Sequence, residues 1–388
     1  MKNTSRTAGV LLILLTIALL CDVSCAKSGL RETERNLIQD VERFNRDYGS
    51  KGLTIKNKDI DWSDGLICDG LVLKNSLIKN VKLQTVKLRN MYIENSRVED
   101  VSISEKSYLS GSTFKNVKFK NFKSINDNMR SYFSDSVFID CEFVNCRFNR
   151  VDIGKEYRDC KFENCKFEKV TFGKVFINCK FTECKIKFVR DEYVRTFENV
   201  IFKDTVIEEY LVLEDCKNVQ FINCLMMYSF EISGKTDNIL IQNLKGGDEL
   251  RFEKGVFSNI SIIDCKEITI EFLYANLDNL LIKDSKIFGL YFDHSNVGGE
   301  NKIENSTIFW NEYGKTKIRD LTITNCRFMN HINLISSELI RLKLNNNTYK
   351  DGIKHNVWNE KYTDSDKFPL KSVTIPEEKV PDIYFDTK

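Results

Sequence analysis

Thirteen cysteines, one Asp-His pair and one Trp/Tyr pair are the residues of this chain whose chemistry could reach beyond packing. Cys141, Cys160 and Cys179 recur at a fixed interval, as do Cys146, Cys165 and Cys184, and Cys224, Cys265 and Cys326 continue the second series with gaps. A ladder of thiolates would hold a soft metal or cycle through disulfides. The metal reading lacks co-ligands, because there is no Cys-x-x-Cys and the chain has three histidines, His294, His331 and His355. Thiols stacked with parallel side chains fit the disulfide torsion poorly. The cysteines are therefore expected as free thiols packed in a core, with no metal and no cofactor. The run Tyr291-Phe292-Asp293-His294 offers an acid–base pair without a third member, which reads as a solvated turn. No GxSxG, P-loop, GxGxxG or HExxH is present, so no enzyme is expected. Trp310 and Tyr313, in a segment IFWNEYGK read as an inserted loop, are the candidates for recognising a sugar or peptide by stacking, the alternative being a loop folded onto the solenoid.

The elements that carry these residues follow from a beat of five. In CKFENCKFEKVTF, Cys160/Phe162, Cys165/Phe167 and Val170/Phe172 each set a small or β-branched residue two before a large apolar one. The beat runs through Leu71/Leu73 to Val101/Ile103, through Ser136/Phe138 to Val151/Ile153, and through Ile270/Phe272 to Leu290/Phe292. Neither a helical period nor an unbroken strand period produces it. A second period of 19 to 21 residues links Leu83, Ile103, Ser124, Phe143, Phe162, Phe181, Phe202, Phe221, Ile241, Ile262, Ile282, Ile303, Ile323 and Leu344. Four pentads thus make one turn of a solenoid, and these residues are expected in one inward column. Around it recur FVNC, FENC, FTEC, FKDT, FINC, IIDC, IKDS, IENS and ITNC, with polar members Asn145, Asn164, Glu183, Asp204, Asn223, Asp264, Asp284, Asn305 and Asn325. Asn and Asp at corners tolerate turn geometry and bond locally to the backbone, and stacked amides can form a ladder between coils. The beat slips at 104–112, 125–135, 153–160 and 225–260, which are expected as irregular corners or outward loops.

Over roughly residues 60–345 the chain resembles the pentapeptide repeat family, with Leu, Phe or Ile at the central position and Cys, Val or Ser in place of the usual alanine. The resemblance implies an all-β fold, a right-handed quadrilateral parallel β-helix, with the central and small residues both pointing inward. It also implies a DNA-mimic, topoisomerase-binding role known in that family, against which charge and export both argue. Lys and Arg number 58 against 56 Asp and Glu, a net +2, which supplies no basic face for nucleic acid and no strongly acidic mimic.

Residues 1–26 read as a signal peptide: Lys2 and Arg6, then an apolar run Ala8–Leu20, then Ser24-Cys25-Ala26. Cleavage after Ala26, acylation at Cys25 and retention as an anchor remain alternatives, and each takes the protein out of the cytoplasm to the periplasm or cell surface. Residues 27–59 hold an amphipathic helix with Leu37, Ile38, Val41 and Phe44 on one face, placed to cap the first coil. The repeats occupy 60–348, and the tail 349–388 is expected to cover the far end. Outward of the inward column, Ile201, Ile222, Leu240, Ile263 and Leu281 are apolar where a solvated face would be polar. They are the candidate partner-contact face, the alternative being that they lie beneath a loop or the C-terminal tail. The expected function is that of an exported, non-enzymatic structural or protein-binding surface, its partner another envelope or surface protein, with self-association open. No nucleic acid is expected, and membrane contact only through the N-terminus. A carbohydrate-binding or carbohydrate-active β-helix is the alternative.

Overall fold

The computed structural model describes residues 52–350 apart from short interruptions (62–66, 104–107, 189–192 and several of one or two residues), with residues 41, 43, 45–47 and 50 and the strand Val373–Thr374. The chain falls into two units, Met1–Cys160 with Lys169–Gly173, and Lys161–Glu168 with Lys174–Lys388. Each winds as a parallel β-solenoid of about 20 residues per turn.

The coil that starts at Ser285 shows the plan. Lys286–Asp293 crosses the first and second sides, Asn296–Gly298 forms the third and Asn301–Glu304 the fourth. His294, Gly299 and Asn305 turn three of the corners with φ of 49°, 64° and 50°. A chain that turns after so few residues, with inward side chains on both arms, needs left-handed backbone at the bend. Asn and Asp tolerate that region better than other side-chain-bearing residues. Asn145, Asn164, Asp204, Asn223, Asp264, Asp284, Asn305 and Asn325, singled out by the sequence, all sit there, and so does Glu183.

In the second unit the long period is confirmed position by position. Phe162 pairs in register with Phe181, then Phe202, Phe221, Ile241, Ile262, Ile282, Ile303, Ile323 and Leu344. Successive rings stack at 4.5 Å, 4.8 Å and 4.9 Å from Phe162 to Phe221, the strand spacing imposing the ring spacing. The small partners of the beat are buried with them, Cys165 and Cys184 among them.

The first unit corrects the expected column. Leu83, Ile103 and Ser124 stand in register, but Ser124 is followed by Phe148, whereas Phe143 stands on Phe119, Val98 and Ile78. The separation from Phe119 to Phe143 shows that this coil carries 24 residues. The excess lies at the Asn149/Val151 register shift, where Ile125 to Arg130 bulge against the next coil. The slip at 125–135 is therefore a real insertion. The other slips are milder. Glu156–Arg158 pairs with Val137–Ile139, Tyr157 stacking on Phe138 at 4.8 Å. Phe230–Gln242 and Leu250–Ile263, expected among the loops of 225–260, are long strands paired in register with one shift at Ser233/Gly234. One extra residue there suffices to disguise the beat.

Both ends carry non-repeat chain. Among the described residues of the N-terminal segment, Val41, Arg43 and Asn45–Asp47 are helical, and Val41 is buried. The Asn45 side chain works as a piece of strand edge, its Nδ2 donating to the Gly70 carbonyl at 2.7 Å and its Oδ1 accepting from the Val72 N–H at 2.8 Å. Leu37, Ile38 and Phe44 lie outside the described residues. Val373–Thr374 of the tail adds a strand beside Leu342 and Lys343.

Candidate binding surfaces

The cysteines resolve first. Ten described cysteines are buried thiols outside any disulfide. Hydrogen bonds from the next coil's backbone place Cys165, Cys184, Thr205, Cys224, Leu244, Cys265, Ser285, Ser306 and Cys326 in one interior column. Exchange of thiol, hydroxyl and isobutyl groups along it marks a packing position with a size limit. Each thiol leans on a carbonyl, Cys224 Sγ on the Phe202 oxygen at 3.5 Å and Cys265 Sγ on that of Ile241 at 3.6 Å. Burial pushes both thiols up to about 11, so they stay protonated and are poor nucleophiles and ligands at neutral pH. Among the described residues no group of three or more His, Cys, Asp or Glu is placed to hold a metal ion.

The fourth side of the second unit carries the predicted apolar residues. Its two outward columns read Ile201, Gln220, Leu240, Ser261, Leu281 and Lys203, Ile222, Gln242, Ile263, Lys283. Each of five successive coils therefore offers one aliphatic side chain, and the side on which it sits alternates from coil to coil. All five are half-buried, since in-register neighbours shield one another at the coil spacing. The edges of this side are asparagine ladders. Along one edge Asn199 donates to Asn178 at 2.8 Å, Asn218 to Asn199 at 2.7 Å and Asn238 to Asn218 at 2.8 Å, with Asn279 on Asn259 further on at 3.2 Å. Along the other, Asn223 donates to Asp204 and Asn243 to Asn223, at 3.0 and 2.9 Å. The first ladder was missed from the sequence. Its signal is an Asn immediately before each inward Val, Ile or Leu, as in Asn199-Val200, Asn218-Val219 and Asn259-Ile260.

Trp310 and Tyr313 do not form one loop. Thr307–Gly314 is a strand paired in register with Lys286–Asp293, with no insertion between them. Trp310 is 61% exposed whereas Tyr313 is 2% exposed, its ring stacked on Phe292 at 5.0 Å inside the core. Three residues apart on an extended chain, two side chains leave opposite faces, so the pair cannot share a platform.

Trp310 instead belongs to the corner between the first and second sides. Phe288 and Phe309 meet there edge to face at 5.4 Å, with Lys286 Nζ 5.7 Å and 5.6 Å from their centroids. The second side then presents an outward column of Glu231, Arg251, Glu271, Tyr291 and Glu312. Arg251 binds Glu249 at 2.6 Å and Glu271 at 3.2 Å. Partial burial and a hydrogen bond to Glu249 push Glu271 up to about 7, so this carboxyl titrates near neutrality. Burial opposes ionisation of Glu249 too, but hydrogen bonds from Glu271 and Arg251 hold it below the usual carboxylate range. Below neutrality the proton therefore sits on Glu271, which donates it to Glu249, with Arg251 paired to both. At the far edge the His294 Nδ1–H donates to Asp293 Oδ1 at 2.8 Å, and the ring stacks on exposed Tyr274 at 4.9 Å. That is an open corner, where the Asp-His pair faces solvent. Leu225, Met227 and Tyr228, also missed from the sequence, are exposed large apolar residues lower in the same unit. Cys25 lies outside the described residues, as do His331 and His355.

The chain matches no family model and no curated protein. Among solved structures it is similar to PfbA, a surface adhesin of Streptococcus pneumoniae, at 10% identity over 84% of this chain and 90% of that one, with a TM-score of 0.24. It is similar also to the A-module of the Azotobacter vinelandii mannuronan C-5 epimerase AlgE4, at 10% identity over 84% and 95% of the two chains, TM-score 0.27. A third is the tailspike protein of E. coli bacteriophage HK620, at 8% identity over 82% and 74%, TM-score 0.25.

Proposed function

We propose that this protein is an exported, non-enzymatic β-solenoid whose fourth side is a protein-binding surface. One observation carries the reading: the aliphatic side chains Ile201, Ile222, Leu240, Ile263 and Leu281 alternate across five successive coils between asparagine ladders. Such a side is flat and rigid, and it repeats a weak apolar contact many times, which suits multivalent docking of an envelope or surface protein. Its backbone groups are engaged between coils, so recognition falls to side chains. Ile222→Asp with Ile263→Asp places two carboxylates in the stripe without touching the core. The double variant keeps its melting temperature and loses the proteins that co-purify with the native chain from the envelope; an unchanged co-purification profile removes the fourth side from the reading.

Export rests on the N-terminal pattern, and mass spectrometry of the mature chain separates cleavage after Ala26 from acylation at Cys25. A second reading, a carbohydrate-binding role, is favoured by exposed Trp310 and its aromatic corner. Depolymerisation of a glycan by the pure protein would replace the non-enzymatic reading with a hydrolytic or lytic one.

A further inference from the structure

We propose that the corner around Trp310 is a saccharide subsite, in which pyranose rings of a neutral polysaccharide stack on Trp310 and Tyr291 while Glu312 accepts hydrogen bonds from their hydroxyls. The proposal rests on the carbohydrate reading and is independent of the fourth side.

The corner is built for exposed aromatic surface. Gly289 stands directly below Trp310 in register, and a Cβ there would collide with the Tyr291 ring, so the glycine leaves room for that ring to lie over the corner. Tyr291 is itself half-buried, between Glu271 on one coil and Glu312 on the next. Phe288, Phe309 and Trp310 continue the surface around the bend, Phe288 and Trp310 exposed and Phe309 half-buried. Flat aromatic faces beside a carboxylate acceptor match the two faces of a sugar: the apolar C–H side of the ring and its hydroxyl rim.

The same features disfavour other ligands. An extended peptide would find no unpaired strand edge on this side, because coil-to-coil ladders run through Lys286–Asp293 and Thr307–Gly314. Phosphate or uronate polymers would meet the Glu312 carboxylate beside Tyr291. The two neighbouring cations are already engaged, Arg251 by Glu249 and Glu271, and Lys286 by Glu267 at 3.0 Å.

Affinity electrophoresis through gels containing neutral glucan, mannan, galactomannan or xylan tests the subsite, with alginate as the anionic contrast. Retardation is expected with at least one neutral polymer and not with alginate, together with a change in tryptophan fluorescence. Trp310→Ala should weaken binding about tenfold. Gly289→Ala, which displaces Tyr291, should weaken it independently; if that variant folds poorly, Tyr291→Ala makes the same point from the surface. Ile222→Asp with Ile263→Asp should leave binding intact, which separates failure here from failure of the protein-binding surface. No retardation by any neutral polymer, retardation by alginate alone, or full binding by Trp310→Ala overturns the proposal.

Discussion

The fourth and second sides of the second unit lie on the same coils and solve different problems. On the fourth side the five successive coils from Phe202 to Ile282 repeat the same solution: inward Phe or Ile, an outward aliphatic residue on alternating flanks, Asn or Asp at each edge. On the second side the inward column is equally regular, Leu213, Ile232, Phe252, Phe272, Phe292 and Tyr313, but the outward column changes chemistry at each step, from Glu to Arg to Glu to Tyr to Glu. Regularity outside the core is a property of a surface that acts by repetition. Its absence marks a place where individual side chains have individual neighbours.

The sharpest break comes from the interior that both sides share. Phe202 stacks between Phe181 and Phe221, at 4.8 Å and 4.9 Å, and is 2% exposed. Phe202→Ala should cost about 3–5 kcal/mol, because stacked coils hold their spacing and cannot collapse into the void. Urea denaturation measures it. A loss below about 1 kcal/mol would mean that the column packs loosely and that the coils do not share one core.

The next largest effect belongs to the ladders. Asn218 has φ 54°, donates to Asn199 and accepts from Asn238. Asn218→Val forces a β-branched residue into left-handed backbone and breaks both amide bonds, an expected loss of about 2–3 kcal/mol. Asn218→Gly keeps the backbone and loses only the amides, so it should cost about 1 kcal/mol or less. Thermal melts of the two variants separate bend from ladder; equal losses would show that the amides, not the bend, hold the corner.

Much of this contrast could be read in the sequence, and the failures have physical causes. The inward column from Phe162 to Leu344 was legible because solvent exclusion leaves a periodic apolar signal that no neighbour can alter. Placing Phe143 above Ser124 failed because a 24-residue coil followed, and a chance separation of 19 residues imitated one turn. Tyr313 was read as part of a loop because buried Asn311 occupies the small inward position, where the beat prefers Cys, Ser or Val. The second-side column was invisible for a different reason. Glu231, Arg251, Glu271, Tyr291 and Glu312 recur at regular intervals, but position alone relates them, not residue type. Sequence reports what repeats; the irregular surface becomes readable once the register is known.

On the second side the test is electrostatic. In Glu249→Gln the hydrogen bond and charge that help raise Glu271 are altered, leaving burial against the pull of Arg251. The Glu271 carboxyl should then titrate below its position near 7, as followed by carbon NMR of labelled glutamate. The sign for stability follows from proton binding. A carboxyl with a folded value near 7 and an ordinary unfolded value of 4.5 holds more protons when folded between those limits. Its contribution therefore declines as pH rises through that window and is constant outside it. The depressed Glu249 works the opposite way at lower pH, gaining stability as pH rises toward 4.5. Native melts from pH 4 to 8 should slope downward more steeply for the native chain than for Glu249→Gln.

The smallest expected effect returns to the fourth side and asks whether its repetition is complete. Glu183 occupies a corner with φ 53°, in the column shared by Asn164 and Asp204, where almost every other member is Asn or Asp. A glutamate has no short side chain to bond its own bend and gains nothing from left-handed backbone. Glu183→Asn should relieve part of that cost and offer an amide toward the corner residue of the preceding coil, as Asn223 does toward Asp204 at 3.0 Å. The gain should be about 0.5–1 kcal/mol, close to what favourable turn substitutions provide, and visible as a melting temperature raised by a few degrees. Glu183→Gly relieves the bend without adding an amide. If the Asn and Gly variants stabilise equally, backbone geometry alone explains why these corners favour Asn; if only Asn does, the ladder between coils is a cohesive element of the fourth side, as the hydrogen bonds along Asp204, Asn223 and Asn243 imply.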